Sequence, residues 1–146
     1  MKFIFSFVLM FIVLLFTSAT AFVLTSNGIN KSTGEIFGYF EEINCDRFQG
    51  WAWDSTTPDA PVKVNIYQDG PKEKGKLVAT FTADIHRDDI AALYTDDNGL
   101  HGFHYIFPND LKDSKEHTYY VYSAEFYKDD VMKELKFSPK RITCKA

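Results

Sequence analysis

Catalytic signatures are scarce in this sequence. It has no G-x-S-x-G turn and no glycine-rich phosphate loop, which removes the usual serine-hydrolase elbow and the common nucleotide cradles. Histidine is rare, with four residues: His86, His101, His104 and His117. Cysteine is rarer, with Cys45 and Cys144 alone, and neither sits in an activating context. Beyond Phe16 no apolar stretch approaches the roughly 20 residues of a membrane span. A basic surplus is also missing. The chain carries 16 Lys+Arg against 20 Asp+Glu, a formal charge of −4, which argues against nucleic acid or an anionic membrane as partner. No internal repeat and no low-complexity segment occurs.

What is present begins with a secretion pattern. Lys2 precedes an apolar run from Phe3 to Phe16, and Ala19-Thr20-Ala21 has the small-x-small form that signal peptidase accepts. The expectation is a cleavable signal peptide over 1–21, with an uncleaved anchor as the alternative. Residues 22–34 lack a core face and read as a flexible leader, in which Asn30-Lys31-Ser32 is a glycosylation triplet for a eukaryotic source. Residues 35–146 then form one domain, secreted or placed on the cell envelope exterior, with no stable membrane insertion after cleavage. In that setting an even cysteine count predicts a Cys45–Cys144 disulfide, the alternative being two buried thiols. A bond closing nearly the whole domain into one loop is worth about 4–5 kcal/mol in the chain-entropy model.

The mature chain predicts short strands broken by turn clusters. Ile36 to Ile43 is the first, and Phe48 to Trp53 the second, with Trp51 and Trp53 two apart on one face. Val62 to Tyr67 alternates as a half-buried strand, with Val62, Val64 and Ile66 facing one way and Lys63 and Asn65 the other. Leu77 to Phe81 follows. Asp84 to Asn98 leaves room for one or two helical turns. Phe103 to Phe107 and His117 to Tyr127 are strands, the latter with Tyr120, Tyr122, Ala124 and Phe126 on one face. Lys128-Asp129-Asp130 reads as a turn, and Lys133 to Phe137 and Arg141 to Cys144 close the chain. This pattern predicts an all-β fold, an antiparallel β-sandwich of seven or eight strands, Ig-like or jelly-roll-like.

Five pieces in order carry a resemblance. They are Gly50-Trp51-Ala52-Trp53-Asp54; Ile66-Tyr67-Gln68-Asp69-Gly70; Arg87-Asp88-Asp89-Ile90; His101-Gly102-Phe103 with Pro108 and Leu111 behind it; and His117-Thr118-Tyr119-Tyr120-Val121-Tyr122. The series resembles a β-sandwich module of secreted bacterial proteins, found singly, in tandem or beside carbohydrate-active domains. The match spans roughly residues 38 to 127; the cysteine pair is an addition to the module's pattern. The resemblance implies an accessory or binding role without catalysis and names no ligand.

The candidate ligand contacts are Trp51, Trp53, Asp54, Tyr67, Arg87, Asp88 and His101. Indole rings on one strand face could stack on sugar rings. The favoured reading is that at least one of them fills the core between the sheets, because 19 of the 24 aromatics fall after Ala21 and most must be buried. Asp54, Asp69 and Gly70 form a polar loop rim or serve turn chemistry. Arg87, Asp88 and Asp89, near Asp84 and His86, form an acid-base cluster or an internal ion pair holding a long loop. Asp96, Asp97 and Asn98 could offer oxygens to calcium but lack the spaced acids of an EF-hand and read as a turn. His101 and His104 would lie on opposite faces of one strand, which argues against zinc. No metal and no cofactor is expected. The sequence thus points to a secreted noncatalytic binding module for carbohydrate. A protein-interaction or structural module with an extracellular protein partner is the alternative, and a small hydrolase built on Arg87, Asp88 and His101 is the third reading.

Overall fold

Apolar residues on both sides of Ile36–Ile43 (β1) and Arg47–Asp54 (β2) make a hairpin whose two faces are both used. Its turn is held by Asn44, whose Oδ1 accepts the N–H groups of Asp46 at 2.9 Å and Arg47 at 3.0 Å. The computed structural model describes residues 35–94, 98–125 and 128–145, and only the backbone of 124, 125 and 128–131. The expected signal peptide and leader, with Asn30, lie outside the described residues, as do Asp96, Asp97, Phe126 and Tyr127.

The remaining strands are Val62–Gln68 (β3), Lys76–Ala83 (β4), Ile85–His86 (β5), Leu100–Ile106 (β6), Glu116–Glu125 (β7), Lys128–Glu134 (β8) and Lys140–Thr143 (β9). A four-residue helix, Asp88–Ala91 (α1), and a 3-10 turn at Asn109–Leu111 interrupt them. Two antiparallel sheets result. The first has the order β1-β2-β6-β5, and the second β4-β3-β7-β8 with β9 also on β7. The all-β sandwich is therefore present, with nine strands among the described residues where the patterning predicts seven or eight. The strand the patterning lacks is β5, whose two residues are too few to register as a periodic segment.

The sheets meet over one apolar core. Phe40, Phe48, Ala52 and Phe103 come from the first sheet; Val62, Val64, Ile66, Ala79, Tyr119 and Val121 come from the second. Phe48 is fully buried and lies flat against Phe107 at 5.0 Å and edge-on to Tyr119 at 5.2 Å. Burying a ring of this size contributes about 1.5–3 kcal/mol. Cys45, in the β1–β2 turn, is bonded to Cys144, just after β9, with Cα atoms 5.4 Å apart. The disulfide thus ties the first sheet to the second.

Two expectations shift and one gains a direction. Lys128-Asp129-Asp130 is strand and not turn, because Glu125 already pairs with Lys128. On β7 the core face is Tyr119, Val121 and Ser123, so the predicted row of Tyr120 and Tyr122 faces outward. Asn65 is 4% exposed although it faces away from the core, because Met132 Sδ accepts its amide at 3.6 Å and Thr80 donates to its Oδ1 at 2.7 Å. The outer side of β3 is covered where alternation alone predicts solvent.

After β8 the chain leaves the second sheet. Leu135 N–H donates to Val121 O at 2.9 Å, Lys136 N–H donates to Gly38 O at 3.0 Å, and Phe40 N–H donates to Lys136 O at 2.9 Å. Residues 135–138 therefore form a strap from β7 to the edge of β1, and the predicted strand Lys133 to Phe137 is cut at Leu135. Leu135 fills the core, while Lys136 and Phe137 are left at the rim of the first sheet.

Candidate functional site

The outer face of the first sheet carries a second, smaller apolar cluster. Phe37 pairs with Trp53 and Tyr39 with Trp51 across the β1–β2 ladder. Alternation sends Phe40, Phe48 and Ala52 inward, so all four of these rings face outward. They form two rows across the strands. In one, Phe137 lies 5.2 Å from Tyr39, which lies 5.2 Å from Trp51. In the other, Phe37 lies 5.7 Å from Trp53, over which Tyr94 stacks at 3.9 Å and 16°.

Trp51 and Trp53 are nevertheless 6% and 8% exposed, and Ile90 of α1 is 3% exposed against them. The tryptophans are buried, but not between the sheets as the core reading expects. They lie beneath α1 and Tyr94, on the opposite side of β2. One arginine holds this cover. Arg87 donates to both carboxylate oxygens of Glu41 on β1, at 2.9 and 3.1 Å, and to both of Asp89, at 2.8 and 2.7 Å. Its Cγ passes over Gly102, where a Cβ would lie 2.8 Å from it. Gly102 thus gives the side chain its route across β6. These hydrogen bonds, first to Asp89 and then to Glu41, raise the Arg87 pKa and hold the Asp89 carboxyl below its ordinary value.

The uncovered part of the face is the strap side. Tyr39 and Phe37 are half-buried, and Phe137 is 65% exposed. Phe137 adopts φ +66°, a left-handed conformation that for a bulky residue costs on the order of 1–3 kcal/mol. Three lysines lie over these rings: Lys133 at 5.6 Å from the Phe37 centroid, Lys136 at 5.1 Å from Tyr39, and Lys140 at 5.9 Å from Phe137. Lys136 Nζ also donates to the Tyr39 hydroxyl at 3.2 Å. Such a surface combines aromatic rings with ammonium donors held over them.

The other sequence candidates disperse. Asp54 is buried at the end of β2, and its Oδ1 accepts the Thr56 N–H at 2.8 Å and hydroxyl at 2.6 Å, the chemistry of a turn. Asp88 is 99% exposed and faces His86, at 3.4 Å, and the carboxylate partners of Arg87 are Asp89 and Glu41. His101 is fully buried, edge-on to Trp53 at 6.5 Å. Tyr67 lies on the outer face of the second sheet, T-shaped against Tyr122 at 5.7 Å. Trp51, Trp53, Arg87 and His101 therefore share one neighbourhood, and Tyr67 lies on the other sheet. Asn98, from the calcium reading, donates to Asp59 O and accepts the Leu100 N–H, both at 2.9 Å.

A separate charged cluster lies at one end of β7. His117 faces Asp69 Oδ2 with Nδ1 at 2.6 Å and Asp113 Oδ1 with Nε2 at 3.1 Å. Only a protonated imidazole donates to both, so the His117 pKa is raised, mainly by Asp69. Asp113 is lowered, chiefly by the Lys115 N–H and then by His117. The neighbouring Tyr119 hydroxyl has no hydrogen-bond partner among the described residues and is pushed up to about 12, chiefly by burial.

Sequence reading missed Tyr39 and Phe37 as partners of the tryptophans, and Phe137 as the partner of Tyr39. The spacing of Phe37 and Tyr39 repeats that of Trp51 and Trp53, and an antiparallel pairing of the two strands would have set them opposite one another. Nothing in the sequence marks Phe137, whose exposure follows from the strap. No family model matches the chain, and no significant match emerges among curated proteins or solved structures.

Proposed function

We propose that this chain is a secreted noncatalytic binding module whose ligand surface is the outer face of the first sheet, with carbohydrate as the ligand class. The observation that carries the reading is the placement of two aromatic rows on a sheet's outer side, one of them ending at an exposed, strained Phe137. Rings held on a rigid sheet at strand spacing are suited to the faces of successive sugars. The disulfide fits an oxidising compartment, and an N-terminal signal peptide would deliver the chain there. The resemblance to secreted bacterial sandwich modules points in the same direction. Among the described residues no helix is long and apolar enough to cross a membrane.

A panel of immobilised glycans and soluble polysaccharides tests the reading with wild type and the Tyr39→Ala and Phe137→Ala variants. Binding that falls at least tenfold in both, with the fold retained by circular dichroism, supports it. A clean negative across the panel, or binding indifferent to both substitutions, overturns it.

A protein partner is favoured by a different place. β4 is an edge strand, its Leu77 is 50% exposed, and a cleft of about 310 Å³ lies beside it between Leu77, Tyr105 and Pro108. Recovery of a stoichiometric protein partner, lost on Leu77→Asp, would move the assignment there.

A further inference from the structure

We infer that the sugar recognised at the strap side of this face is anionic, a hexose bearing a carboxylate or a sulfate ester. The inference rests on the carbohydrate reading and specifies its ligand.

The chain as a whole is acidic, yet the exposed end of the aromatic rows is cationic. Each nearby carboxylate is already engaged. Glu35 holds Lys133 at 3.2 Å, Glu41 holds Arg87, and Glu42 holds Arg47 at 3.4 Å. Glu134 accepts the Ser138 hydroxyl at 2.8 Å and the Tyr122 hydroxyl at 3.5 Å. Lys136 and Lys140, by contrast, make no ion pair among the described residues. Lys136 contacts the Tyr39 ring and hydroxyl, and Lys140 contacts the rings of Phe40 and Phe137.

These two ammonium groups flank the Tyr39–Phe137 pair, whose centroids are 5.2 Å apart. An ammonium has three donors, and a ring face satisfies none of them as an acceptor oxygen does. A neutral sugar would offer those donors only uncharged hydroxyl and ring oxygens. A uronate or sulfated sugar stacked on Tyr39 or Phe137 would bring oxygens to the adjacent ammonium as charge-assisted acceptors. The strap fixes this arrangement, because the hydrogen bonds of Lys136 to Gly38 and Phe40 set the register of the lysine against Tyr39. Complementary charge beside the aromatic rings thus selects the ligand as well as attracting it.

The test titrates the disulfide-bonded protein with polygalacturonate as the carboxylate probe, chondroitin sulfate as the sulfate probe and mannan as the neutral probe, at low and high salt. Lys136→Gln and Lys140→Gln are compared singly and together, with Lys112→Gln, outside the strap, as control. The expected result is binding to at least one acidic probe that weakens tenfold or more in the double variant and with salt, while the control behaves as wild type. Which acidic probe binds distinguishes carboxylate from sulfate. Binding of mannan alone, dependent on Tyr39 and Phe137, overturns the inference and leaves the carbohydrate reading standing. Acidic binding indifferent to both lysines, or lost equally in the control, also overturns the inference. Failure of all three probes removes it, and the wider glycan panel then decides the carbohydrate reading itself.

Discussion

Replacing both cysteines with alanine removes the tie between the Asn44–Arg47 turn and the end of β9. Cys45 and Cys144 are separated by 99 positions. Releasing a loop of that size returns about 4.7 kcal/mol of conformational entropy to the unfolded chain. Little offsets it in the folded state: Cys144 is 2% exposed, so alanine there leaves only the space of one sulfur in an apolar site. Alanine is the better probe than serine, whose hydroxyl would be buried there. For a domain whose total stability is about 5–15 kcal/mol, the loss reaches a third or more. With a urea m-value of about 1.5 kcal/mol/M, the midpoint should fall by roughly 3 M. Equilibrium urea unfolding followed by tryptophan fluorescence measures this, and wild type unfolded in reductant should coincide with the double variant. A midpoint shift under about 0.7 M at unchanged m, equivalent to about 1 kcal/mol, would refute the reasoning. It would mean that packing between the sheets holds the termini together without the covalent tie.

Three further outcomes are expected. Arg87→Ala should cost about 1 kcal/mol and loosen α1 from the sheet, so that the emission of Trp51 and Trp53, the only tryptophans, shifts red and becomes more quenchable by acrylamide; unchanged emission would place their cover elsewhere. Because the His117 pKa is raised above 6.5, its contribution is full below about pH 6.5 and is lost as pH rises through its folded value; Asp113, lowered from 3.8, contributes above 3.8 and loses its contribution as pH falls through its folded value. Urea unfolding from pH 6 to pH 9 should show stability declining in wild type and a flatter profile in His117→Gln, which should itself cost about 1 kcal/mol at pH 6. Gly50→Ala should destabilise by about 3 kcal/mol or more, since its Cβ would overlap the Tyr39 carbonyl oxygen and meet Phe103 Cζ at 2.7 Å; a near-neutral thermal melt would contradict the β1–β2–β6 register.

The strands were legible as runs of β-favouring residues between turn clusters, as in Ile36–Ile43 and Val62–Gln68. Which face is the interior was not legible where both faces are covered. Trp51 and Trp53 read as core before platform, because alternation places them together without saying which side of β2 is the interior. Phe48 and Ala52 take that interior, and only the pairing with β1 reveals the aromatic rows. The Arg87-Asp88-Asp89 triplet was read as an internal ion pair or a site. Its longest reach, to Glu41 on β1, depends on sheet order and on Gly102, neither of which is local. The strap was invisible for the same reason: Leu135 leaves one sheet for the other through backbone hydrogen bonds that carry no side-chain pattern.

Amide chemical-shift mapping of the labelled protein, titrated with oligosaccharides from the polysaccharide that binds best, tests the ligand surface most directly. Shifts confined to β1, β2 and residues 136–140, with saturation, are the predicted result. Shifts centred on the β4 edge around Leu77 or on the Tyr67 face of the second sheet, with β1 and the strap unmoved, would contradict it.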